Sequence, residues 1–296
     1  MITEIKIQNI DNNPIRVNKP PEPRSINKLL PPLYSSFMFV GSTGTGKTYS
    51  LVKLLKLYEL YPIYDHENNK LEMRIILFCP TANSSANPIF SSLQYLNEND
   101  IILHYSDEKL EEKIEEIKEE EKLIKEEHEY IKAYTRFMKH DDINVLTDEE
   151  ILLLERNNYR EPKKINNKII FMIFDDLIGS AAFKRDKSKI NFLVTQARHY
   201  KINMLFTTQY LTAIPPLIRA QIRVRVLFKF CNSKRIIQQV YPEISALIKE
   251  QDFLHLYEHA TKNEHDSLII INNPLIDKNT RIRKNWDTAL NCINYK

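Results

Sequence analysis

Eight consecutive residues constrain this chain more than any others. Gly41-Ser42-Thr43-Gly44-Thr45-Gly46-Lys47-Thr48 fills every position of the pattern G-x-x-x-x-G-K-[ST] without substitution. Glycines let such a loop curl until successive backbone N–H groups point at one anion, and the helix that follows adds its positive N-terminal dipole. All eight residues are therefore candidate ligands of a nucleotide triphosphate. Lys47 is expected to reach the β- and γ-phosphates, and the Thr48 hydroxyl to hold Mg²⁺. The flanks fit: Phe37–Val40 is an apolar run leading in, and Tyr49–Leu60 has helical spacing leading out. Glycine usage sharpens the reading, because three of the chain's four glycines sit in this loop.

A second stretch, Lys168-Ile169-Ile170-Phe171-Met172-Ile173-Phe174-Asp175-Asp176, reads as a buried strand ending in acids. Downstream of a phosphate loop this is a Walker B arrangement. Asp175 is expected to share the metal with Thr48, and Asp176 to orient or deprotonate the attacking water. Met73–Pro80 is another near-continuous apolar run of the kind found in parallel sheets. Asn203–Thr207 is a further strand with Thr208 and Gln209 at its C-terminal end. A polar amide at that edge, Gln209, is expected to sit near the γ-phosphate, between the two Walker strands in space, since ligands gather at the C-terminal ends of open α/β sheets. The fold class expected is α/β with a mostly parallel sheet.

Composition narrows the options. Charged residues make up 27% of 296, with a net charge of only +3, so any nucleic-acid surface must be local. Its best candidate is the loop carrying Lys184, Arg185, Lys187 and Lys189, whose cations suit phosphates. Cys79, Cys231 and Cys292 are odd in number and far apart, which suggests neither a disulfide framework nor a zinc site. The longest apolar run, Ile169–Phe174, is far short of the roughly 20 residues of a membrane span, and no signal pattern opens the chain. A soluble intracellular protein is expected.

Residues 1–32, with prolines at 20, 21, 23, 31 and 32, read as an N-terminal arm, and 33–296 as a single domain. Within it the composition turns abruptly to Glu and Lys after Ser106. Leu110, Ile117, Ile124, Ile131 and Met138 recur every seven residues, one narrow apolar seam along a long helix. The matching second seam fails at Glu121, His128 and Thr135, which argues against a long coiled coil. A helical insertion over about residues 106–162, returning through a second helix near Thr147–Leu154, is expected. It could be a solvated excursion or a partner-docking arm. Ile222–Phe230 alternates Arg223, Arg225 and Lys229 with apolar residues, a strand with one cationic face. Helical segments follow around Lys234–Val240 and Glu243–His259, then a last strand at Leu268–Ile271.

Several of these stretches together resemble the DNA-packaging ATPases of large DNA viruses and virophages, the poxvirus-type branch of the FtsK/HerA class. They are Gly41–Thr48, Ile169–Asp176, Ala197-Arg198-His199-Tyr200 followed by Met204–Gln209, and Ile214-Pro215-Pro216-Leu217-Ile218-Arg219. The resemblance spans about residues 33–272, with the charged insertion unmatched. It implies a RecA-like P-loop core with an extra strand between the Walker strands, and a homo-oligomeric ring, pentamer or hexamer. Such a ring uses ATP and Mg²⁺ to move double-stranded DNA into a capsid at a portal vertex, in the host cytoplasm or on the virion. By position, Gln209 is similar to the family's γ-phosphate sensor, and Arg198 and Arg219 to its arginine finger. The family usually carries Glu where this chain has Asp176, which is shorter by one methylene, about 1.5 Å. From the physics alone, an ATPase needs positive charge beyond Lys47 and Mg²⁺, and arginines near the sheet's C-terminal edge are expected to supply it in trans. Two other readings stay open: a motor of the same class serving conjugation or segregation, and a nucleotide-gated scaffold docking a partner through the charged helix.

Overall fold

The computed structural model describes residues 23–82, 88–140, 143–163, 165–177, 183, 188–230, 233–273 and 276–290. In chain order the elements are β1 (Arg24–Ser25), β2 (Ser36–Val40), α1 (Lys47–Leu60), β3 (Ile63–Tyr64), β4 (Glu72–Phe78), β5 (Leu96–Ile102), α2 (Asp107–His140) and α3 (Asp148–Arg156). They continue as β6 (Lys168–Phe174), α4 (Lys189–Gln196), β7 (Ile202–Thr208), α5 (Pro216–Gln221), β8 (Ile222–Phe228), α6 (Ser233–Ile244), α7 (Glu250–Ala260), β9 (Ser267–Ile271), β10 (Ile282–Lys284) and β11 (Thr288–Ala289).

Among the described residues nine strands form one sheet, in the order β11-β10-β9-β8-β2-β7-β6-β4-β5. The six from β8 to β5 are parallel, and β9, β10 and β11 extend the sheet antiparallel. The fold is thus α/β with a mostly parallel sheet, and β7 is the extra strand between the two Walker strands β2 and β6. Helices cover both faces, which is why the central strands read as unbroken apolar runs instead of alternating. On one face α1 packs through Leu51, Leu54, Leu55 and Tyr58. The other face buries Leu110 and Ile117 of α2, Ile190 and Leu193 of α4, Ile218 of α5 and Phe253 of α7. Of the arm, residues 23–32 lie on the domain: β1 pairs with β3, Tyr58 donates to the Pro31 carbonyl, and Arg283 donates to that of Leu29. Residues 1–22 lie outside the described residues.

Helix α2 has 34 residues, about 50 Å of helix, with Asp107 and Glu108 at its start and Lys139 and His140 at its end, as the helix dipole favours. The apolar seam does not run straight. Leu110, Ile117 and Ile124 are buried, but Met138 is 61% exposed, and Tyr130 and Ala133 are buried in its place. An α-helix drifts about 20° per heptad against a strict seven-residue repeat, so a seam facing the sheet at Leu110 has rotated away by Met138. The distal half packs instead on α3, around Tyr130, Ala133, Leu146 and Leu154. That helix starts in a capping box between Thr147 and Glu150.

Charge ties the proximal half of α2 to the sheet edge. Arg74 of β4 bonds Asp100 of β5 at 2.8 Å and reaches Glu116 and Glu120 of α2 at 2.7 and 3.2 Å. Lys113 closes the network onto Asp100 at 3.2 Å, and Lys168 of β6 pairs with Glu120. Of the cationic face expected over Ile222–Phe230, Arg225 is internal, Arg223 is half-buried, and Lys229 is exposed just past β8. Arg225 is 3% exposed and bonds Glu243 of α6 at 3.1 Å and the Ile222 and Arg219 carbonyls, because β8 is central and α6 covers it. The continuous helix expected over Glu243–His259 is broken, with α6 ending at Ile244 and α7 starting at Glu250. No helix among the described residues is long and apolar enough to cross a membrane.

Burial favours the neutral form of Asp100, but hydrogen bonds from Arg74 and Lys113 outweigh it and hold its carboxyl below the usual carboxylate range. A depressed carboxylate contributes stability above about pH 4 and loses it as pH falls through its lower folded-state value. Arg74→Ala leaves this buried charge with Lys113 as its remaining cation and is expected to cost about 2 kcal/mol at neutral pH in urea unfolding, with a smaller loss in acid.

Candidate functional site

Parallel pairing sets the ends of β2, β7 and β6 side by side at one edge of the sheet. Val40 pairs with Thr208, and Phe174 with Phe206. Phe78 and Phe174 occupy the last positions of β4 and β6, Phe206 stands level with Phe174 on β7, and the three rings stack at 5.2 and 5.1 Å on the α2 face. Because successive strand side chains alternate, the next residues, Cys79, Asp175 and Thr207, turn to the opposite face, where α1 lies.

The loop entering α1 is closed by its own bonds: the Thr45 hydroxyl and the Lys47 ammonium donate to the Ser42 carbonyl at 2.8 and 2.9 Å. Gly44 and Gly46 adopt φ of 79° and 94°, and Gly46 caps the helix in that left-handed conformation. Gly41 is required for a different reason, since a Cβ there would lie 2.6 Å from Phe228 Cβ and 2.7 Å from Thr45 Oγ1. Lys47 is 9% exposed. Burial lowers its pKa, and the charges of Asp176 and Asp175 offset part of that.

Asp175, 3% exposed, faces the loop. It accepts from Thr207 Oγ1 at 2.7 Å, Thr48 Oγ1 at 3.3 Å and Cys79 Sγ at 3.5 Å. Burial pushes its carboxyl upward, and the bonds from Thr207 and Cys79 oppose that. The Thr48 hydroxyl and Asp175 carboxylate are hard oxygen donors brought together from two elements, which suits Mg²⁺. Among the described residues no group of three or more His, Cys, Asp or Glu is placed to hold a metal ion. A magnesium ion shared with substrate phosphates needs none, as one or two carboxylates suffice. Asp176, exposed at the edge, has φ of 49°, donates its N–H to Thr207 Oγ1 at 2.9 Å, and accepts from Gln209 Nε2 at 3.4 Å. Thr208 Oγ1 bonds the backbone of Tyr210 and turns the chain so that Gln209 leaves β7 toward Asp176.

The two arginines do not join this group. Arg198 lies in the turn between α4 and β7, and Arg219 near the end of α5, just before β8. Both turns lead into parallel strands, so both sit at the N-terminal edge, a strand length of about 20 Å from the loop. The expectation that they stand near the C-terminal edge is therefore corrected; the spacing to the following strand, and not to the preceding one, decides the edge. Arg219 is held by Glu243 at 2.5 Å. Arg198 is exposed beside a cleft walled by Glu120, Glu121 and Lys168. Of the basic loop, Lys184, Arg185 and Lys187 lie outside the described residues, and Lys189 is in α4, paired with Glu111 of α2 at 2.5 Å.

Three residues near the site carried little sequence signal. Thr207 and Cys79 looked like strand positions; a hydroxyl or thiol in line with the acid pair was the available clue. His265, with φ of 67°, lies against the loop, 3.4 Å from a Cβ built on Gly46, and only the antiparallel return of β9 brings it there.

No protein-family model and no curated protein matches the chain. Among solved structures, it is similar to the genome packaging NTPase B204 from Sulfolobus turreted icosahedral virus 2 in complex with ATPγS, at 12% identity and a TM-score of 0.45, covering 85% of this chain and 97% of that one. It is also similar to ATPases 2 and 3 of EssC from Geobacillus thermodenitrificans, at 17% identity and a TM-score of 0.37, covering 70% of this chain and 34% of that one. A third is the pCW3 conjugation coupling protein TcpA with ATPγS, at 15% identity and a TM-score of 0.37, covering 81% and 58%. Likenesses this loose identify no family, and the functional reading rests on the residues of the site.

The glycines give a direct check. Gly41→Ala must displace the loop or β8 and is expected to weaken binding of a fluorescent ATP analogue at least tenfold, about 1.4 kcal/mol. Gly44→Ala meets nothing within 4 Å and pays only for its backbone angle, so its loss is expected to be smaller.

Proposed function

We propose that the protein is an Mg²⁺-dependent ATPase that works as a ring and moves double-stranded DNA into a viral capsid. The observation that carries the ATPase reading is the meeting of Lys47, Thr48, Asp175, Asp176 and Gln209 at one sheet edge, with Thr48 and Asp175 within hydrogen-bond reach. The loop N–H groups and the start of α1 would cradle the phosphates. Lys47 would neutralise charge on the β- and γ-phosphates, and Mg²⁺, held by Thr48 and Asp175, would supply the remaining charge stabilisation there. Asp176 would orient water in line with the γ-phosphorus and take its proton, as the bond to the β–γ bridging oxygen breaks to give ADP and phosphate. Gln209 would hold Asp176 and the γ-phosphate in one arrangement.

Ring action is supported by where the arginines lie. At the far edge, neither Arg198 nor Arg219 can serve the nucleotide of its own chain, so a finger from either must act on a neighbour. Of the two, Arg198 presents more of its side chain to the surface, being exposed where Arg219 is half-buried. The DNA, capsid and portal assignments, and location at a viral assembly site or on the virion, rest on the sequence resemblance.

The test is ATP turnover by purified protein with and without long duplex DNA. Turnover is expected to need Mg²⁺, to rise severalfold with DNA, and to vanish in Lys47→Ala. Turnover that DNA never accelerates at any salt concentration contradicts the motor reading; tight ATP binding without turnover favours the nucleotide-gated scaffold.

A further inference from the structure

We infer that Thr207 is a positioning residue of this site: one buried hydroxyl on the inserted strand fixes both the Asp175 carboxylate and the Asp176 backbone. This rests on the ATPase reading above. Thr207 is 2% exposed, so water does not compete for its hydroxyl. Its O–H donates to Asp175 Oδ1 at 2.7 Å, closer than Thr48 or Cys79 comes to that carboxylate, and its oxygen accepts the Asp176 N–H at 2.9 Å. Both of the hydroxyl's roles are thus used, each on a different acid.

The second bond bears on backbone strain. Asp176 is a non-glycine residue at φ of 49°, a left-handed conformation that is unfavourable for a side chain and persists where surrounding contacts hold it. That angle swings the chain so that Asp175 stays buried toward Thr48 while Asp176 emerges beside Gln209. Without the acceptor on Thr207, the Asp176 N–H would lose its partner and the two carboxylates their fixed relation. The register explains why a hydroxyl stands there: β7 is hydrogen-bonded to β6 up to the Phe174–Phe206 pair, which puts Thr207 level with Asp175. A P-loop sheet with its Walker strands directly adjacent would have no strand to supply this group.

The test compares wild type with Thr207→Val, close in shape but lacking the hydroxyl, Thr207→Ala, and Thr207→Ser, which restores it. Partners of metal ligands typically affect metal affinity by about 10- to 100-fold. Electron paramagnetic resonance titration of Mn²⁺ in the presence of ADP is expected to show at least about tenfold weaker metal binding in Thr207→Val and Thr207→Ala, and near wild-type binding in Thr207→Ser. Nucleotide binding in EDTA, which depends on the loop, is expected to stay within about twofold in all three, separating positioning from damage to the fold. Mn²⁺ binding by Thr207→Val equal to wild type overturns the proposal, and so does an equal loss of metal-free nucleotide affinity in Val, Ala and Ser variants. Wild-type protein that binds nucleotide without hydrolysing it, yet shows the Mn²⁺ pattern, overturns the ATPase reading alone; wild-type protein that binds no nucleotide overturns both.

Discussion

The structure depends on one hydrogen-bonded ladder, the parallel registration of β2, β7 and β6. It aligns three strand ends that are far apart in the chain, at Gly41, Asp175 and Gln209, and so converts separate motifs into one site. A slip of one residue in β7 would turn Thr207 to the α2 face and Phe206 to the α1 face, breaking the bond to Asp175 and the stack of Phe78, Phe174 and Phe206 together. The aromatic side of the sheet thereby enforces the polar side. Burial of those rings is the apolar driving force, and the placement of two carboxylates is its consequence.

A second constraint acts at the outer strands. β4 and β5 reach the sheet's far side, and α2 leaves from the same edge as the candidate site before running back across the sheet. Tyr105, just before it, bonds Asp107 and packs on Phe78 and Phe174. Arg74 and Lys113 then pin the helix through Asp100, Glu116 and Glu120. The charged composition that stands out in this segment therefore serves two purposes. Some of its charges are internal ties with low exposure, and others, such as Lys122 and Glu126, form surface pairs worth little.

Much of the site was legible in the sequence because its chemistry needs particular residues at fixed local spacing. The loop Gly41–Thr48 and the acid-ended strand at Asp175 are patterns of that kind, and Gln209 followed from the rule that strand ends collect ligands. What local spacing could not convey was which edge a loop belongs to. Arg198 and Arg219 sit near motif residues in the chain, but each precedes its strand and so lies at the opposite edge. Arg225 looked like part of a cationic surface because period two was visible and the covering helix with Glu243 was not. Likewise, the seven-residue repeat in α2 was real up to Ile124, and then gave way to packing on α3, a partner that lies beyond the repeat. Thr207 and His265 were hidden for the same reason: their importance is a matter of register and antiparallel return.

The central claim is that this edge of the sheet hydrolyses ATP through Asp176 while Lys47 and the loop bind it. Single-turnover hydrolysis of ATP by Asp176→Asn, measured beside its nucleotide affinity, tests it most directly. The account predicts unchanged affinity and a cleavage rate at least about 100-fold slower, within the range general-base catalysis contributes. Cleavage by Asp176→Asn at the wild-type rate would contradict it.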